Sequence, residues 1–515
     1  MRRLTRLFVS WTEIGLRRSP FLLLWAAYLL PVILLNWAAR HQPYYWDAMG
    51  YVLPTARTIL TNGFDPILRT WDVGHPTAYY WLLAVFYKAG GISPLTGHVF
   101  TWFLTALGLA GTHRLAARLH LPPAVRVGAA LCVLVFPLVF AASRQVVHDL
   151  GLAVFVWLAL EAWARRRPGW YVVWGALAAL TKLYGILLVP ALWLALLMGA
   201  DGPPNRRFLQ DNWRQLLWTA GPLPIQGLFL GIRYLVRGPG LTVNWTPHSS
   251  LQPVWNWPAF SANWPEAKLN LWQVSGLGSW ALVAVGALAL ALVLTRRRPM
   301  APEARRTLAA LVAFSLVLAV SLVQVSSTMG RYVLPLVTPT FLVSLWGVWR
   351  LAGTRWLMLP VLALLMGLFV LQWHPRQTRW LPPAVAVRIA PPPAKTGHHM
   401  ETDLRYQDVV DLMVWSAEQA RLTGAPRVLT HWPLTSAFSD PDLGYVTRPL
   451  SVAELGAWTE VPDQGACLVV VLDRISGVST SPPSELTGFI FVAARLRGEV
   501  TAWLWFRPAG AQSSL

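Results

Sequence analysis

Long apolar runs alternate with short polar breaks along this chain, at a spacing that predicts membrane-spanning helices. A span needs about 20 mostly apolar residues. The runs that approach this are Phe21–Ala38, Leu95–Gly111, Ala124–Phe140, Leu150–Ala164, Trp170–Leu180, Leu183–Gly199, Leu216–Leu235, Gly276–Thr295, Leu308–Val325, Tyr332–Trp349 and Trp356–Trp373. One further apolar stretch, Thr77–Ala89, forces a choice. Counted as a span it would put Arg114, Arg118 and Arg126 outside and invert every later loop, so it reads as an interfacial helix.

Beyond Trp373 the pattern changes. A Pro-rich stretch, Pro382–Pro393, gives way to mixed polarity, with helical periodicity over Asp403–Arg421 and strand-like runs at Arg427–His431, Ala466–Leu472 and Phe489–Ala494. Helix interleaved with β-rich runs predicts a small α/β unit. The expected organisation is an all-α membrane bundle of about eleven helices over residues 1–375, a Pro-rich linker over 376–400 and a small α/β domain over 401–515.

Composition agrees with the bundle. Of 515 residues 55% are hydrophobic and 13% charged, against roughly 25% charged in a soluble domain. The net charge of +20 would fit nucleic-acid binding if the basic residues shared one face. They fall instead in short clusters between apolar runs, at Arg2-Arg3-Arg6-Arg17-Arg18, Arg165-Arg166-Arg167, Arg206-Arg207-Arg214, Arg296-Arg297-Arg298 and Arg305-Arg306. With the N-terminus inside, every cluster is cytoplasmic, as the positive-inside rule requires, and no nucleic-acid partner is expected. The first run reads as a retained signal anchor, because it is long and no small-residue cleavage site clearly follows. Cys132 lies in an apolar run and Cys467 in the tail, so no bridge between them is expected.

The outside face then receives the loop from Arg40 to Pro94, the Ala141–Asp149 turn, the Trp-rich Arg237–Ser275 loop, the Ser326–Arg331 turn and the tail. The first loop carries Tyr45-Trp46-Asp47-Ala48-Met49-Gly50-Tyr51, then Asn62-Gly63-Phe64-Asp65-Pro66, then Trp71-Asp72-Val73-Gly74-His75-Pro76-Thr77-Ala78-Tyr79-Tyr80-Trp81. Asp47, flanked by aromatics at a low-dielectric boundary, suits a general base; it equally suits a solvated or capping carboxylate. Lys182 lies between two apolar runs, where a charge costs about 3 kcal/mol at mid-bilayer depth; a functional partner or snorkelling to the interface would relieve it. Arg144 and Asp149 fit either a phosphate and acceptor site or an ordinary interfacial ion pair. Arg331 fits either a phosphate clamp or a helix anchor.

Asp47, Asn62-Gly63 and His75-Pro76-Thr77-Ala78-Tyr79-Tyr80-Trp81 match, in order and spacing, a pattern in the GT-C glycosyltransferases that use lipid-phosphate sugars. The chain resembles the glycosyltransferase family 39 branch, with the protein O-mannosyltransferases and the aminoarabinose transferases of lipid A, over residues 20–375. It departs at Ala48, where that branch often has a second acid, and at Thr77, where it has a second proline. The resemblance implies a sugar moved from a polyprenyl-phosphate donor to a lipid, glycan or protein acceptor, with inversion. It implies Asp47 as base, Lys182, Arg331 and Arg144 at the donor phosphate, and His75, Asp149, Tyr79 and Trp81 positioning the substrates. No cofactor is required by this chemistry, and nothing in the sequence supports a divalent metal. The expected setting is a bacterial inner membrane, with the N-terminus cytoplasmic and the C-terminal domain periplasmic.

Other chemistries lack their motifs: there is no Gly-Lys-Ser/Thr phosphate loop, nucleophile elbow, His-Glu-x-x-His or zinc-spaced cysteine pair. A transporter or flippase using Lys182 and Arg233 is the alternative from another class, although no inverted repeat is apparent. A non-catalytic scaffold is a third.

Overall fold

In the computed structural model the chain is mostly helical, with a small sheet near the C-terminus. The structure describes residues 21–65, 67, 75–198, 206–237, 300–323, 330–389, 397–454, 467–474, 489–498 and 500–508, with a few between 258 and 291. The basic N-terminus, Asp72, the Trp-rich loop and most of the Gly276–Thr295 run lie outside the described residues.

The helices are α1 (Phe21–Asn36), α2 (Leu53–Thr61), α3 (Ala78–Gly90), α4 (Pro94–Arg118), α5 (Pro123–Val135), α6 (Pro137–Ser143), α7 (His148–Ala164), α8 (Pro168–Thr181), α9 (Leu188–Met198), α10 (Arg206–Thr219) and α11 (Pro222–Arg237). Then come α12 (Pro302–Val323), α13 (Leu334–Ala352), α14 (Arg355–Leu371), α15 (Pro383–Ile389), α16 (Tyr406–Thr423) and α17 (Leu434–Ser439). Among the described residues, Phe21–Ala39, Pro302–Val323 and Gly330–Ala352 are long and apolar enough to cross a membrane. The outer face of α1 exposes Leu22, Leu23, Leu30 and Leu34, as a surface turned to lipid does.

Several expected spans are shorter or broken, each for a backbone reason. The Ala124–Phe140 run bends by 69° between α5 and α6, because a residue before proline avoids the helical region and Phe136 precedes Pro137. The Leu216–Leu235 run divides into α10 and α11 where Gly221-Pro222 starts a new helix. The Leu183–Gly199 run begins as a 3-10 turn, Leu183–Leu187, in which Gly185 sits so close to the Ala178 carbonyl that a Cβ would collide with it. The Thr77–Ala89 stretch forms the helix α3. The Pro-rich linker is partly ordered too, since Pro383 opens α15, at the one helical end where its missing N–H is harmless.

The tail holds strands β1 (Val428–Thr430), β2 (Val452–Glu454), β3 (Cys467–Arg474), β4 (Ile490–Arg497) and β5 (Val500–Arg507) in the order β2-β1-β3-β5-β4. β1 runs parallel to β2 and β3, whereas β5 is antiparallel to β3 and β4. The expected strands appear as β1, β3 and β4, and the structure adds β2 and β5 to them. β5 returns from β4 through Gly498, at φ 55°, a conformation that suits glycine.

This unit is fastened to the loop that follows α1. Tyr44 N–H donates to the Leu443 carbonyl at 3.0 Å and Tyr445 Oη donates to the Tyr44 carbonyl at 2.6 Å. Arg57 bridges Asp440 and Asp442 at 3.0 and 2.7 Å. Trp46 meets Trp432 edge-on, ring centres 4.8 Å apart, and a Cβ on Gly50 would lie 3.0 Å from the same indole.

On the other side of the loop, α3 lies against α7. Gly151 makes this approach feasible, since a Cβ there would stand 2.5 Å from Tyr79 Cδ2, and Tyr79 is fully buried with Phe100 at its edge, 5.2 Å between ring centres. Gly151→Ala should therefore destabilise the chain by about 1–3 kcal/mol, seen as a lower thermal midpoint in detergent; an unchanged midpoint would contradict this packing.

Candidate active site

Asp47, Asp149, Lys182 and Arg331 come from four distant stretches and meet in one buried cluster. Asp47 opens a π-helical turn, Ala48–Val52, directly after Trp46, whose φ of 44° is unusual for a bulky residue. Asp149 sits in the first turn of α7, where a helix dipole favours a carboxylate. Lys182 follows the end of α8 in extended conformation, where the dipole favours a cation. Arg331 belongs to the 3-10 turn Gly330–Val333 that leads into α13.

Arg331 is the hub. Its Nη2 donates to Asp47 Oδ2, its Nη1 donates to Glu401 Oε2 at 2.6 Å, and its Nε lies 3.1 Å from Asp149 Oδ2. Lys182 Nζ donates to Asp149 Oδ1 at 2.6 Å and lies 3.8 Å from the centre of the Tyr332 ring, within cation–π range. All five charged residues are at most 5% exposed. Isolated charges at such depth would be prohibitively costly; here each acid faces a cation, which offsets that cost.

Around this hub lie two histidines and two tyrosines. The His75 and His148 rings lie 5.0 Å apart between centres, tilted by 40°, and His148 Nε2 is 3.7 Å from Asp149 Oδ2. Burial first, and His148 second, hold the His75 imidazole well below its usual range, so it is neutral at pH 7. Its carbonyl accepts from Arg233 Nη1 at 3.1 Å. Tyr80 lies 5.9 Å from His148 between ring centres; burial, with Asp47 and Asp149 behind it, raises its phenol above the usual range and keeps it protonated. Tyr79 touches the same histidine edge-on at 6.5 Å.

Two expected residues lie elsewhere. Arg144 Nε donates to Asn36 Oδ1 at 3.1 Å and Nη2 to the Leu35 carbonyl at 3.1 Å, and it faces a separate cleft of about 730 Å³ shared with His374, Arg376, Trp415 and Arg497. Trp81 is 37% exposed and its Nε1 donates to the Phe64 carbonyl at 3.3 Å. Conversely, no motif marks Glu401, which stands just past a proline-rich stretch. His148, the first residue of α7, and Tyr80 in α3 lie inside recognisable segments, but their spacing does not distinguish them from their neighbours. Among the described residues, no three His, Cys, Asp or Glu side chains form a group able to hold a metal ion; the acids here face cations.

Beside Asp149 a small cavity of about 10 Å³ lies between α7, α12 and α13, lined by Leu152, Val156, Phe314, Leu318, Tyr184 and Tyr332. It is apolar except for Asp149 and the two phenols.

No protein-family model and no curated protein sequence matches the chain. Among solved structures it is similar to ArnT from Cupriavidus metallidurans bound to undecaprenyl phosphate, at TM-score 0.52 and 15% identity, covering 96% of this chain and 99% of that one. The apo state of the same protein gives TM-score 0.52 and 16% identity over 95% and 99% of the two chains. The chain has the GT-C fold. The GT-C likeness spans the bundle and the tail together, and identities this low speak to the fold alone.

Within this GT-C frame the hub is a coupled unit. Arg331→Gln should cost about 3–5 kcal/mol of stability, because three buried carboxylates lose their shared cation. Adding Glu401→Gln to it should recover part of that loss in thermal or denaturant unfolding; strictly additive losses would contradict the network.

Proposed function

We propose that the chain is a membrane glycosyltransferase that moves a sugar from a polyprenyl-phosphate donor to a lipid, glycan or protein acceptor on the non-cytoplasmic face. One observation carries this reading: two buried cations, Lys182 and Arg331, sit with Asp47 and Asp149 among apolar helices. A phosphate suits the cations, a prenyl chain would lie between α7 and α12 once these helices part around the small cavity there, and a nucleotide pocket is not needed. The similar ArnT was solved with undecaprenyl phosphate, a ligand of this class.

In this reading the acceptor hydroxyl attacks the anomeric carbon from the face opposite the phosphate. Its oxygen forms the new glycosidic bond, its proton passes to Asp47, and the anomeric C–O bond breaks with its electron pair leaving on the phosphate. Direct displacement inverts the anomeric centre. The leaving phosphate gains negative charge, so Lys182 and Arg331, fixed in a low-dielectric site, favour the transition state over the ground state. The polar cleft beside Arg144 is the acceptor's approach, and Arg144 serves that side rather than the donor phosphate. His75 and Tyr79 shape the wall around Asp149, and Trp81, packed on Phe64, stays outside it.

We further propose about eleven spans, a cytoplasmic N-terminus, the division at residues 375 and 400, and a bacterial inner membrane with a periplasmic tail. The proposed chemistry uses neither cofactor nor metal.

Membranes containing the wild-type chain should transfer radiolabelled sugar from a polyprenyl-phosphate donor. Asp47→Asn should lower that transfer by at least about 100-fold, as loss of a general base does. Equal activity in both would remove Asp47 from the mechanism.

A further inference from the structure

Arg331 is already surrounded by carboxylates. Its Nη1 and Nη2 donate to Glu401 and Asp47, and Asp149 Oδ2 lies 3.1 Å from its Nε. Within the directly paired set the carboxylates already outnumber Lys182 and Arg331 by one. Adding a phosphate anion with every carboxylate in place would gather four anionic groups on two cations in a buried site, where like charges repel strongly. One carboxylate must therefore give way.

The three are not equivalent. Asp149 is bound a second time, by Lys182 at 2.6 Å, and lies in the first turn of α7. Asp47 starts the π-helical turn Ala48–Val52 and is the base of the proposed reaction, so it stays in the site. Glu401 is carried on a short 3-10 turn, Gly397–Thr402, and reaches Arg331 on a longer side chain. Its turn lies against that of Arg331, from the tail side.

We propose that Glu401 is the exchangeable counter-anion of Arg331, occupying the seat that the donor phosphate takes, so that donor binding swings Glu401 and its turn away. The inference rests on the glycosyltransferase reading and adds to it a positioning residue in the tail. The C-terminal unit thereby takes part in turnover. Glu401 keeps the hub paired between cycles, and on its return it competes with the spent lipid phosphate. Charge in the buried site then stays constant through the cycle.

Undecaprenyl phosphate binding to the full-length chain in detergent, followed by thermophoresis, tests this. Glu401→Gln removes the competing charge and should bind the lipid about tenfold more tightly than wild type, the scale of one charge-assisted hydrogen bond; a merely structural role would weaken binding. In the wild-type chain, hydrogen–deuterium exchange over residues 397–406 should rise when the lipid is added, a readout that stands even where the variant fails to fold. Equal or weaker binding by the folded variant, or exchange that is unchanged or falls, overturns the role of Glu401 while wild-type binding leaves the enzyme reading intact. No binding by the wild type overturns both.

Discussion

A buried guanidinium must be paired, and in this chain the partners of Arg331 come from the Arg40–Pro94 loop, the start of α7 and the tail. That single requirement ties together segments far apart in the sequence, from Asp47 to Glu401. Each carboxylate fixes the piece of backbone behind it, so this end of the bundle and the first turn of the tail are held together. A second requirement, that Lys182 be neutralised where α8 ends, fastens Asp149 and hence α7 to the same point. The stability of the site and its electrostatics are the same set of contacts.

Two spaces in the structure differ in chemistry. The cavity beside Asp149 is apolar and small, between helices. The cleft beside Arg144 is wide and polar, bounded by the ends of α1 and α6, by α16 and by β4. The tail walls the second space and contributes Glu401 to the hub, which makes it a component of the site instead of a cover.

Much of this is legible in the chain itself. Apolar runs and basic clusters point to the bundle, and the isolated charge of Lys182 between two such runs announces a partner. The Asp47 and His75 segments, read with Arg331, point to one outside surface. What cannot be read follows from physics that sequence spacing does not encode. Pro137, Gly185 and Pro222 break apolar runs that hydropathy alone reads as continuous. Arg144 has the right charge on the right side, but its guanidinium is taken by Asn36 and the Leu35 carbonyl. Glu401 is an acid in an unremarkable setting, and only the fold of the tail onto the first loop brings it to Arg331.

Electron cryo-microscopy of the full-length chain in lipid nanodiscs with undecaprenyl phosphate would locate the phosphate directly. The expected density places it within about 4 Å of Lys182 Nζ and on the Arg331 fork, at ion-pair distance, with the prenyl chain running between α7 and α12. A phosphate seated instead in the Arg144 cleft, with the Arg331 hub unchanged, would contradict the assignment of the hub as the donor site.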